Sequence, residues 1–157
     1  MEAMSDLERL AAIEDIKFLK ARRDYAVDAK DWATYEALHA PDHYSHNEGM
    51  PRMDGAANMV RQVSAVMADI VSIHHSHTPQ ITFQSQTKAA GIWGMEDNLF
   101  WKQGDEEHWL RGFGFYHETY EKRDGQWVFT SRSLKRVHVV TSPGADHPGL
   151  SMPDKRT

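Results

Sequence analysis

Along residues 6–30 apolar side chains fall on more than one side of an uninterrupted helical stretch, and from Val71 onward they gather in long runs of β-branched and aromatic residues. The helical stretch, Asp6 to Lys30, holds no Gly or Pro, and Ser5 with Glu8 forms a capping-box signature at its start. Leu7, Leu10, Ile13, Ile16, Leu19, Ala26 and Val27 spread too widely for a one-sided surface helix, so a largely buried helix is expected. Asp31 can cap a second, short helix, Trp32 to His39, which Pro41 ends. A polar stretch, His43 to Arg52, follows, and Asp54 stands where it can cap a third helix through Ala68. The runs Ile73 to Gln84, Ala89 to Lys102, His108 to Glu121 and Gln126 to Val140 predict four long strands. Gln103-Gly104-Asp105 and Arg123-Asp124-Gly125 punctuate them as hairpin turns.

Helices followed by a run of strands make an α+β fold, with three N-terminal helices packed on the concave side of a cone-shaped, curved, antiparallel or mixed sheet. A long first helix across that face leaves a pocket open at one end, lined by alternate side chains of several strands. Pro143, Gly144, Pro148, Gly149 and Pro153 then predict an irregular tail, so the expected division is a domain at 1–142 and a C-terminal arm at 143–157.

Composition narrows the picture mostly by exclusion. The chain of 157 residues is long enough for one well-cored domain. A net charge of -5, with Lys and Arg scattered among acids, gives no reason to expect a nucleic-acid partner. The absence of cysteine excludes disulfides, thiolate zinc sites and a cysteine nucleophile. MEAMSDLERL lacks the basic and apolar stretches of a signal peptide, and no apolar run nears the roughly 20 residues of a membrane span. A soluble, cytoplasmic setting with no membrane partner is the expectation.

Three segments, AIEDIKFLKARRDYAVDAKDW, SIHHSHTPQITF and FYHETYEKRDGQWVFTSRSLKR, resemble the SnoaL-like branch of the nuclear-transport-factor-2-like superfamily. Within that branch the likeness is to lindane dehydrochlorinase and scytalone dehydratase, with bile-acid dehydratase as a further relative. The resemblance implies the α+β barrel of the superfamily, in a homo-oligomer (trimer or dimer). It also implies a lyase without cofactor or metal, acting on a small hydrophobic or aromatic substrate. In such lyases a histidine removes the proton next to the leaving group, while an aspartate orients the imidazole and balances its charge. Carried over by motif, His74 matches the base, Asp28 its partner, and Arg23 and Arg132 the cationic positions beside the leaving group.

The residues themselves add constraints. Asp28 shares a helix side with Leu10 and Ala21, where a carboxylate is costly unless paired, so it should have a hydrogen-bonding partner. Arg23 lies about 140° around the helix from Asp28, so both line one pocket only at its edges, or if the helix sits deep inside. In SIHHSH, His74 takes one strand face and His75 with His77 the other; a bulge would make His75 the base instead. The same histidines with His43, His46 or Glu118 compose an alternative metal-ligand set. One of Tyr116 and His117 faces the pocket, and His117 is a candidate substrate contact or general acid. Tyr25 and Tyr44 are candidates to hold a substrate oxygen. Trp93, with Phe100, Trp101, Phe113 and Phe115, points to an apolar or aromatic ligand or simply to core. Two rival functions stand beside the lyase: an isomerase with a carboxylate base and oxyanion hole, and a binding domain such as an oxygenase small subunit.

Overall fold

The computed structural model describes residues 4–48 and 50–152. Helix α1 (Asp6–Asp28) begins at the expected capping box: the Ser5 hydroxyl accepts from the Glu8 N–H at 3.3 Å, and the Glu8 carboxylate accepts from the Ser5 N–H at 2.8 Å. The chain leaves the helix through Lys30, whose φ of 59° is left-handed. Asp31 caps α2 (Trp32–Ala37) by accepting from the Thr34 N–H. This helix stops short of the expected His39, because His39 opens a strand, β1 (His39–Ser45). Pro41 sits in the irregular register of β1 between His39 and Tyr44, where the ladder needs no N–H from it. The expected polar stretch therefore begins inside a strand, with His43 and Ser45 buried. Asp54 belongs to β2 (Met53–Asp54), paired with β1, so Gly55 at φ 85° stands before α3 (Ala56–Val66) in its place.

Each of the four expected strand runs lies within a strand: β3 (Val71–Ser85), β4 (Lys88–Gln103), β5 (Glu106–Arg123) and β6 (Gln126–Thr141). At the β5–β6 turn Asp124 and Gly125 both take positive φ, 50° and 81°, the geometry a tight two-residue hairpin requires. The six strands are ordered β2-β1-β6-β5-β4-β3, with β1 parallel to β6 and the rest antiparallel. The sheet is mixed, curved and open, with β2 and β3 as its edges, and the helices lie on one side. Register shifts between Ser76 and Pro79, Phe113 and Gly114, and Thr119 and Tyr120 are where such a sheet bends.

Burial alternates along the central strands, from Ala89 to Trp101 on β4 and from His108 to Tyr120 on β5. The inner positions meet α1 in one core cluster that includes Ile16, Tyr116, Tyr120 and Phe129. Burying a side chain such as Ile16 fully is worth ~1.5–3 kcal/mol. A second cluster joins the end of α1 to Tyr35 and Met59, and a third sits between β4, β5 and Ala145 of the tail. The core thus packs around a gap between the last two clusters, where the cavity lies. Of the expected arm, residues 143–152 run without helix or strand, and residues 153–157 lie outside the described residues.

Candidate active site

A cavity of about 90 Å³ opens between the inner sheet face, α1, α3 and the tail. That is several times the roughly 10–15 Å³ a single water requires, so the cavity admits a small organic ligand. Its sheet side is polar, with His74, Asp97, Tyr116, Arg132 and Arg136, joined by Arg23 from α1. The opposite wall is soft and apolar, with Met53, Met59, Val63, Val66 and Met67, and methionine adapts readily to irregular shapes. Gly149, Leu150 and Ser151 of the tail complete the lining; Gly149 lies so close to Val66 that a Cβ there would clash.

Asp28 closes α1 against β3, where the inward parity presents Ser72 and His74. His74 Nδ1 lies 2.7 Å from Asp28 Oδ1, the His74 backbone N–H donates to Asp28 Oδ2 at 2.8 Å, and Ser72 donates to Oδ1 at 2.8 Å. Burial opposes ionisation of Asp28, yet these hydrogen bonds and the imidazole outweigh it and hold its pKa below the usual carboxylate value. An ionised carboxylate only accepts, so His74 Nδ1 is the donor of this hydrogen bond, and Nε2 is the ring nitrogen left for other partners. His75 and His77 are exposed on the other face, so no bulge puts His75 in the role.

Arg23 is buried because α1 sinks deep enough to bury two of its sides, with Lys20, Arg23, Asp24, Ala26 and Val27 all inward. It donates to the Tyr35 hydroxyl and, at 3.2 Å, to His39 Nε2; His39 Nδ1 lies 2.6 Å from the Tyr35 carbonyl. Burial and then the Arg23 charge push His39 well below its ordinary pKa and bring His43 to about 4, so both stay neutral beside the guanidinium. Arg132 lies over the Tyr116 ring, 3.7 Å from its centroid, with Nε 3.4 Å from Glu118. Burial, then the charge of Asp97, raises the Tyr116 pKa and keeps its hydroxyl protonated. Glu118 also takes Lys20 at 2.6 Å and the Tyr120 hydroxyl at 2.6 Å.

The four expected substrate contacts sit elsewhere. Tyr25 is 76% exposed on the outer side of α1. Strand alternation turns Tyr44 outward, under the Arg52 guanidinium, while its neighbours His43 and Ser45 go in. The same alternation brings Tyr116 into the cavity and leaves His117 on the exposed face. Trp93 is inward but packs in the core, donating to the Tyr120 hydroxyl at 2.8 Å. His43 bonds Ser45, Glu118 bonds Lys20, and among the described residues no group of three or more His, Asp and Glu is placed to hold a metal ion. The residues that sequence reasoning left out are Lys20, Tyr35, His39, Asp97 and Arg136. For Asp97 the alternation along KAAGIWGMEDNLFW would have sufficed, since it shares parity with Ala89, Trp93 and Leu99.

The model of the SnoaL-like domain family matches residues 8–133. Among solved structures, a hexachlorocyclohexane dehydrochlorinase, LinA type 2, is similar at 23% identity and a TM-score of 0.80, covering 93% of this chain and 100% of that one. LinA type 3 from Novosphingobium barchaimii shares 23% identity with a TM-score of 0.74, covering 95% of this chain and 100% of that one. A scytalone-dehydratase-like protein from Novosphingobium aromaticivorans shares 20% identity with a TM-score of 0.78, covering 87% and 91%. At such identities the structural likeness speaks for the fold.

Proposed function

The chain belongs to the SnoaL-like domain family, and from that premise we propose that it is a lyase that eliminates a small group from a ring-sized, largely apolar substrate. The observation that carries this reading is the Asp28–His74 hydrogen bond at 2.7 Å, behind a cavity that His74 lines. His74 Nε2 takes a proton from carbon, and Asp28 holds the imidazole in the productive tautomer and balances the imidazolium that forms. Arg132 and Arg23, whose charges face the same space, stabilise the negative charge on the departing hydroxyl or halide. The Tyr116 hydroxyl, held protonated, is placed to donate to the same charge. The methionine wall excludes water and accommodates the rest of the ring.

An isomerase of the carboxylate-base kind fits less well, because the carboxylate on the cavity wall, Asp97, is already charge-paired through one oxygen with Arg136. The test is a panel of hydroxylated and halogenated rings, followed by absorbance of the new double bond and by mass of the lost group. His74→Ala and Asp28→Asn should each lower kcat by about 10²–10⁴-fold on any substrate found. Variants that retain full turnover would overturn the mechanism.

A further inference from the structure

We propose that the Asp97–Arg136 pair sets the specificity of this cavity, and that it selects a ring bearing a free hydroxyl group. The proposal deepens the lyase reading and rests on this cavity being the place of reaction. Asp97 is the register partner of His74 on β3 and of Gly112 on β5. Side chains opposite one another on a sheet face stand side by side, so Asp97 flanks the imidazole. Arg136 reaches it from β6, one strand beyond, with Nη2 2.5 Å from Asp97 Oδ2. That reach depends on Gly112, where a Cβ would collide with both Asp97 Oδ1 and Arg136 Nε.

Asp97 is buried, Arg136 is half-buried, and the pair is not fully matched. Among the described residues Asp97 Oδ1 and Arg136 Nε have no hydrogen-bond partner, and both residues line the cavity. An unmatched buried acceptor and an unmatched buried donor are costly, and here they lie together over one glycine. Neither atom is open to solvent as folded, so a hydroxyl answers both as the two side chains turn toward the cavity, donating to the carboxylate and accepting from the guanidinium. Asn47 Oδ1, a second unmatched acceptor on the cavity wall, favours the same donor-bearing ligand. A chlorine or a bare hydrocarbon edge donates nothing to either acceptor.

The experiment measures dissociation constants of phenol, anisole and chlorobenzene for the full-length protein by ligand-observed NMR titration. Phenol should bind at least about tenfold tighter than chlorobenzene or anisole, neither of which can donate. Replacing both charges together, Asp97→Leu with Arg136→Met, should bring that ratio close to one. Anisole or chlorobenzene binding the wild-type protein as tightly as phenol overturns the proposal without any variant; so does a ratio that the double variant leaves unchanged. His74→Ala should retain the phenol preference while losing turnover. Preference absent with His74 essential sinks this inference alone, and preference present with His74 dispensable sinks the lyase reading alone.

Discussion

Two carboxylate-centred clusters join α1 to the sheet, and they are built in opposite ways. At the helix end, Asp28 and His74 keep side-chain exposures of 25% and 9%, and the carboxylate is matched by local, mostly uncharged donors. At mid-helix, Lys20 and Glu118 are exposed by only 1% and 0%, and charge is met by charge, with Arg132 and the Tyr120 hydroxyl in attendance. The sealed cluster can only hold its residues in place. The half-buried one keeps a ring nitrogen free for a ligand and a path for its proton to leave. The same helix thus carries a sealed ion pair and the proposed catalytic pair about two turns apart, and solvent access separates the two.

The largest expected effect is on the sealed cluster. Glu118→Ala should cost about 3–5 kcal/mol of unfolding free energy in urea titrations, because Lys20 and Arg132 lose their counter-charge. Lys20→Met with Glu118→Leu should recover most of it; equal losses for the single and double variants would show that the pair is not the source. Asp28→Ala should cost only ~1–2 kcal/mol, since water reaches the groups it leaves behind.

Acid sharpens the comparison next. His39 and His43 have folded pKa values below their unfolded value, so the folded state binds fewer protons as pH falls. The contribution of His43 is complete above about pH 6.5 and is lost on the way down to about 4, and that of His39 falls in the same direction from the same upper bound. For His43 alone this amounts to roughly 2–3 kcal/mol. The lowered pKa of Asp28 works at still lower pH: its contribution holds above the ordinary Asp value of about 3.9 and fades as pH falls through the folded value. Melting temperatures between pH 7 and 4 should therefore decline, and His43→Gln should flatten the decline. A level profile over that span would contradict the burial of these imidazoles.

The smallest effects belong to residues outside both clusters. Tyr25→Ala should change unfolding free energy by less than about 0.5 kcal/mol and leave turnover intact, although Tyr25 lies one turn from Asp28. A marked loss of turnover would place Tyr25 at the site through a contact that this chain alone does not make.

Local information was enough for α1, the four long strands and the inward parity of His74, because caps, turns and periodicity act between near neighbours in sequence. It was enough, too, to single out Asp28 as a carboxylate in need of a partner. It misplaced Tyr44 and His117, whose facing follows from strand parity, and missed β1, whose pairing with β6 overrides the weak strand character of HAPDHYS. The long-range ion pairs were beyond its reach: Lys20 and Glu118 stand 98 residues apart, Asp97 and Arg136 39 apart. Charges that far apart in the chain become partners only when strand order and register bring them together, and for Lys20 and Glu118 burial makes the pairing obligatory. Sequence alone determined α1, the four long strands and the inward parity of His74. Tertiary structure decided which charges surround it, because those contacts exist only once the sheet has closed over the helix.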